Sequence, residues 1–189
     1  MVLTKYALRI RTVPGMGSRG LLARWCVVVF VCLLASHPTA AQSVPDFRLD
    51  DTQGRPVQFG DVAGDSLTVI DFWATWCGPC VQSIPVLVNL ADKYESRGVR
   101  FVGISVDSPR NAAKVRPFAA SLGIDYPVLL DLNSEVMSML GVTAVPTLLV
   151  VDVSMQVVLM HEGYRPGDAE RFGNELDRLL DEASADARK

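Results

Sequence analysis

The most reactive side chains of this sequence are Cys77 and Cys80, set in Trp76-Cys77-Gly78-Pro79-Cys80. They stand where a run of β-branched and aromatic residues ends and a helical pattern begins. At a helix N-terminus the unpaired backbone N–H groups and the positive end of the dipole favour an anion, here the Cys77 thiolate. Its pKa is therefore expected to be low, which makes Cys77 the attacking thiol. Cys80 lies one turn deeper, within disulfide reach and farther from solvent, the arrangement of a resolving thiol. Pro79 sacrifices no needed hydrogen bond at a helix start and stiffens the loop between the sulfurs.

Other readings of two close cysteines fare less well. A structural disulfide would close a four-residue ring, which removes little unfolded-state entropy. Zinc takes four ligands, whereas the chain after residue 41 offers one histidine, His161, and no further cysteine. Val81 follows Cys80 where covalent haem attachment needs His. Neither a metal nor another cofactor is expected. Met137, Met139, Met155 and Met160, with His161, are conceivable copper(I) ligands, although Met at helical or strand spacing ordinarily fills a core.

The elements that must position the pair follow from periodicity and punctuation. Phe47–Asp51 and Arg55–Phe59 read as a hairpin around Gly54, and 67–73 as a buried strand. A helix is expected from Pro79 to Arg97, ended by Gly98 and kinked at Pro85. Val99–Val106 is a second buried strand, followed by a helix that Ser108 and Pro109 would start and Pro117 would kink or split. Pro127–Leu130 is a short strand, and Ser134 is expected to cap a short helix ending at Gly141. Thr147–Val153 and Gln156–His161 form a hairpin around Ser154. Asp168 then caps a helix whose Phe172, Leu176, Leu179 and Leu180 face a core. Strand and helix alternate, yet the last two strands are joined too briefly for a crossover. An α/β fold with a mixed sheet and helices on both faces is expected.

Of the 18 Lys and Arg residues, five precede Asp46, the first acid. The remainder sets 13 bases against 21 acids, a net charge of −8, which leaves no footprint for nucleic acid or anionic membrane surfaces. Residues 1–41 combine those bases with an 11-residue apolar run, Trp25–Ala35, and small residues ending at Ala41. This is the pattern of a secretory signal cut before Gln42, or of an N-terminal anchor if it is retained. Cys26 and Cys32 lie in that run as small hydrophobes. Residues 42–189 carry no repeat or linker and read as a single domain.

Ile70-Asp-Phe-Trp-Ala-Thr-Trp-Cys-Gly-Pro-Cys80 resembles the active-site segment of the thioredoxin superfamily, and Gly141-Val-Thr-Ala-Val-Pro-Thr-Leu-Leu-Val150 resembles its second signature. The resemblance implies a thioredoxin fold with a cis Val145–Pro146 bond opposite the cysteines, leaving the Val145 backbone free to pair with a substrate chain. It also implies that Gly163 lines the same groove, with Trp76, Gly78 and Pro79 on its other side. The leader, the opening hairpin and the added helix and strand between Ser108 and Leu130 are similar to the TlpA/ResA branch. Many members of that branch carry Glu three residues after the second cysteine and Asn six before the first. Here those positions hold Ser83 and Asp71. On a buried strand Asp71 would have a raised pKa and could take the proton of Cys80, while at the strand surface water would satisfy it.

The resemblance therefore implies an extracytoplasmic, periplasmic thiol–disulfide oxidoreductase that reduces disulfides of protein substrates. It would draw electrons from a membrane donor and act as a monomer. Two alternatives stay open. A thioredoxin-fold thiol peroxidase would need Thr three residues before its cysteine, where this chain has Ala74, with Thr75 one place late. A non-catalytic peptide or copper chaperone would use the groove at Pro146 without turnover.

Overall fold

The computed structural model describes residues 42–186; the expected leader, with Cys26 and Cys32, lies outside them. The chain enters through β1 (Arg48–Asp51) and β2 (Pro56–Gln58), an antiparallel hairpin. The Asp51 carboxylate closes its turn, accepting from the N–H groups of Gln53 at 2.7 Å and Arg55 at 3.0 Å. The second strand is shorter than expected, because the chain turns at Phe59 into a one-turn helix, α1 (Phe59–Val62). Phe59 is fully buried and stacks on Phe47 at 4.8 Å, and Asp46 accepts the Gly60 N–H, so tertiary burial overrides the strand pattern there.

The elements that follow are β3 (Leu67–Trp73), α2 (Gly78–Glu95), β4 (Val99–Ser105), α3 (Ala112–Ser121), β5 (Val128–Leu130) and α4 (Glu135–Met139). The hairpin β6 (Thr147–Asp152) and β7 (Val157–Glu162) and the helix α5 (Asp168–Asp186) complete the fold. All seven strands join in one sheet, in the order β2-β1-β5-β4-β3-β6-β7. β3 runs parallel to β4 and antiparallel to β6, so the sheet is mixed. Gln42 and Val44 add two backbone hydrogen bonds to the β6–β7 hairpin, at Val157 and Met155.

All seven residues of β3 are buried, which requires cover on both faces. Ile70 and Phe72 point into one cluster with Phe59 of α1 and Val136 of α4. Leu67 and Val69 point the other way, against Leu87 and Tyr94 of α2 and Leu176 of α5. Val115 and Ala119 of α3 cover that second face beside Trp73. The Tyr94 hydroxyl donates to the Gly173 carbonyl at 2.8 Å and ties α2 to α5.

Three helix starts differ from the sequence reading. Ser108 and Pro109 lie in a turn closed by the Asn111 N–H on the Ser108 carbonyl, and α3 begins at Ala112. The preceding Asp107 is held beneath the strand ends, so the chain spends one turn before it can wind. Ser134 sits at φ 56° and makes no side-chain cap. The buried Asp131 caps α4 instead, accepting the Glu135 and Met137 N–H groups at 2.8 Å each. Asp168 is the first residue of α5, and its carboxylate turns back to the Arg165 N–H at 2.7 Å. Pro85 and Pro117 lie inside α2 and α3 without splitting them. Among the described residues, no helix is long and apolar enough to cross a membrane.

Candidate active site

The cysteines occupy the turn between β3 and α2, at the end of the sheet where β3 and β4 both finish. Asp107, fully buried just beyond β4, anchors this turn. Its carboxylate accepts the Thr75 N–H at 2.8 Å, the Thr75 hydroxyl at 2.6 Å and the Ser105 hydroxyl at 3.0 Å. Sequence reading passed over Asp107, because an acid at a strand end resembles an ordinary loop residue until its partner 32 positions away is known.

Cys77 is the N-cap of α2, with extended backbone (φ −87°, ψ 101°). Its Sγ accepts the Cys80 N–H at 3.2 Å, the place an Asp or Ser oxygen takes in an ordinary cap. That donor and the helix dipole both favour negative charge on the Cys77 sulfur. Gly78 and Pro79 fill the first helical positions, and Cys77 and Cys80 are joined, with Cα atoms 5.3 Å apart. In this state Cys77 is 3% and Cys80 1% exposed, whereas Trp76 beside them is 64% exposed. Ser83, at the position where the branch carries Glu, is buried and donates to the Cys80 carbonyl at 3.1 Å.

Opposite the turn, the Val145–Pro146 peptide bond is cis. Val145 packs against the cluster that contains both cysteines, and the Gly163 N–H donates to the Pro146 carbonyl at 2.8 Å. A small apolar cleft opens beside them, lined by Ser83, Pro146, Leu148, His161, Gly163 and Phe172 among others. His161 Nε2 lies 3.2 Å from the Asp168 carboxylate at its wall. The structure thus gathers Cys77, Cys80, Trp76, Gly78, Pro79, Val145, Pro146 and Gly163 at one end of the sheet.

Asp71 lies two residues up β3 from Trp73 and is fully buried, so the reading of a water-satisfied surface carboxylate does not hold. Strand alternation puts it on the face of Val69 and Trp73, beneath α2. Among the described residues no donor reaches either of its oxygens, and burial pushes its pKa from the usual 3.8 up to about 7. The methionines do not converge on His161: Met137 and Met155 pack into the first core cluster, and Met139 and Met160 are exposed. Among the described residues no group of three or more His, Cys, Asp or Glu side chains is placed to hold a metal.

The model of the Redoxin family matches residues 39–176. The chain belongs to that family. Among its relatives, the thiol-disulfide oxidoreductase ResA of Bacillus subtilis is 32% identical over 119 residues, 63% of this chain and 65% of that one. ResA of Geobacillus thermodenitrificans is 31% identical over 115 residues, 61% of this chain and 64% of the relative. The chain thus spans just under two thirds of the length of these curated relatives. A crystal structure of a thiol:disulfide interchange protein of the thioredoxin family from Chlorobium tepidum superposes with a TM-score of 0.61 at 27% identity, covering 78% of this chain and 99% of that one. This Redoxin-family chain is a ResA-like member of the thioredoxin superfamily, and its mixed sheet with flanking helices is the thioredoxin fold.

Proposed function

We propose that this chain is an extracytoplasmic thiol–disulfide oxidoreductase that reduces disulfides in protein substrates through Cys77 and Cys80. The observation that carries the reading is the Cys80 N–H donated to Cys77 Sγ at a helix N-terminus, with the buried Asp71 beneath. In the dithiol form, the Cys77 thiolate attacks a substrate disulfide and forms a mixed disulfide, and the first substrate sulfur leaves as a thiolate that takes a proton from water. Cys80 then gives its proton to Asp71 and attacks the Cys77 sulfur. The second substrate thiolate departs, so the substrate gains two electrons and the Cys77–Cys80 pair loses them.

The remaining site residues serve the substrate. An extended segment beside the scissile sulfur pairs with the Val145 backbone, held in place by Pro146 and Gly163. Trp76, Gly78 and Pro79 offer the opposite wall, and the apolar cleft takes a neighbouring side chain. Residues 1–41 send the protein out of the cytoplasm, where a membrane dithiol donor re-reduces the pair, and it works as a monomer without cofactor. The Thr75 hydroxyl is committed to Asp107, which weighs against a peroxidase, since that chemistry needs a free hydroxyl at the reactive thiol.

The test is reduction of insulin or another protein disulfide by the dithiol form, comparing the parent with Cys77→Ser. Loss of turnover with the fold intact supports the reading. Undiminished turnover would overturn it, and retained peptide binding by a variant without turnover in either form would favour the chaperone.

A further inference from the structure

Three buried polar groups lack hydrogen-bond partners among the described residues: the Asp71 carboxyl, Trp73 Nε1 and the Tyr126 hydroxyl. They belong to one neighbourhood. Asp71 is paired in register with Gly103 of β4, and Gly103 with Val128 of β5, two residues after Tyr126. A Cβ on residue 103 would stand 3.1 Å from Trp73 Nε1 and 3.4 Å from a Tyr126 ring carbon. The missing side chain at Gly103 thus lets the indole N–H and the phenol close over β4 beside the carboxyl. Buried polar groups left unpaired are costly, whereas one buried water makes about two to four hydrogen bonds and can serve all three.

Tyr126 also connects this neighbourhood to the outside. Its hydroxyl is buried, while its ring is half-buried and lines two surface clefts. It approaches Asp71 from the entry of β5, the end of the sheet opposite the cysteines, and burial first, then the charge of Asp71, raise the Tyr126 pKa. Of the titratable groups nearby among the described residues, Cys80 of α2 lies in the cluster around Trp73, and Asp125 acts on Tyr126. Asp92, Glu95 and Arg100 form the outer wall of one Tyr126 cleft, and Arg116 lines the other. β4 and β6 place only Gly103 and Leu148 opposite the carboxyl.

We propose that Asp71, Trp73 and Tyr126 hold one buried water over Gly103, and that Tyr126 is the positioning residue through which the Asp71 carboxyl exchanges its proton with solvent. The inference rests on the reading of Asp71 as the base that serves Cys80. The proton accepted from Cys80 then leaves without crossing the face where substrate is bound. The carboxyl passes it to the buried water and the water to the Tyr126 hydroxyl, while a solvent water in a cleft that Tyr126 lines accepts the hydroxyl's own proton, so no net charge accumulates on Tyr126. The indole N–H can only donate, and the hydroxyl and water donate to the charged form, so all three favour the carboxylate.

The experiment follows the Asp71 carboxyl by its infrared C=O band in the oxidised full chain, with Asp71→Asn to assign the band. Tyr126→Phe keeps the ring and removes one donor, and its titration midpoint is expected to rise by at least half a unit. An unchanged midpoint overturns the proposal. A second arm measures the pH profile of mixed-disulfide resolution for Tyr126→Phe in the parent and in the Asp71→Asn background. A shift in the parent alone is expected, and an equal shift in both backgrounds would reduce Tyr126 to a packing role and overturn the proposal. Should Asp71→Asn by itself leave that profile unmoved, the reading of Asp71 as base fails, while the infrared midpoint still decides the Tyr126 site.

Discussion

Asp107 grips Thr75 twice, accepting its backbone N–H at 2.8 Å and its hydroxyl at 2.6 Å, although the two residues belong to turns at the ends of different strands. Cys77 follows Thr75 by two positions, so the carboxylate fixes where the attacking sulfur stands. Asp107→Ala removes these bonds and leaves the half-buried Thr75 N–H unpaired. It is expected to lower stability by about 3 kcal/mol and to slow the first attack of Cys77 about tenfold through lost positioning. Urea midpoints at constant slope and single-turnover mixing of the dithiol form with a disulfide substrate check the two effects.

The buried carboxyl of Asp71 makes the oxidised protein less stable as pH rises. Its pKa is about 7 when folded against 3.8 when exposed, so between these values the folded state binds more protons than the unfolded one. The cost is absent below about pH 4 and complete above about pH 7. Relative to the parent, Asp71→Asn should gain about 4 kcal/mol between pH 4 and pH 8, taking 1.36 kcal/mol per pKa unit. Chemical denaturation of both oxidised proteins at the two pH values measures it, and a constant difference would contradict the assignment.

Cys80→Ser separates the two steps of the proposed reaction. Attack by Cys77 remains, but the mixed disulfide has no internal thiol to release it. Covalent adducts with protein substrates should accumulate and disappear on addition of dithiothreitol, visible on non-reducing gels. Cys77→Ser should give none.

Trp76 is 64% exposed beside a disulfide that is almost completely buried, an unusual position for so large an apolar ring. Trp76→Ala should raise KM for protein disulfides about tenfold, equivalent to about 1.4 kcal/mol, with stability changed by no more than about 0.5 kcal/mol. Small disulfides such as oxidised glutathione should show little change, because they do not reach the ring.

Elements whose residues speak for themselves were legible before the structure. The buried strand 67–73, the helix that begins just after Cys77 and the turn at Gly98 each follow from local residue types, and Gly98 takes φ 78° where a Cβ would collide with Ser66 Oγ at 2.6 Å. What escaped reading depends on partners distant in sequence. α1 exists because Phe59 meets Phe47, and α4 is capped by Asp131 across the strand end rather than by the adjacent Ser134. Asp107 and Tyr126 belong to the same class: an acid and a phenol in turns, given their meaning by Thr75 and by Asp71. The cysteine pair and the segment around Pro146 could be recognised separately, while their meeting required the sheet.

The pairing of β3 with β6 also sets the order in which the molecule comes into being. Val69 faces Val150, about 80 positions later, so the central strand of the sheet waits for a partner that is made long after it. At synthesis rates of about 5–20 residues per second, the stretch from Cys80 to Val150 takes roughly 4 to 14 seconds. Throughout that interval the two thiols travel on an open chain, unshielded by Trp73, Val145 or α3. The newborn chain is therefore already a reactive dithiol before it is a folded protein, and whatever meets it in those seconds meets its cysteines first.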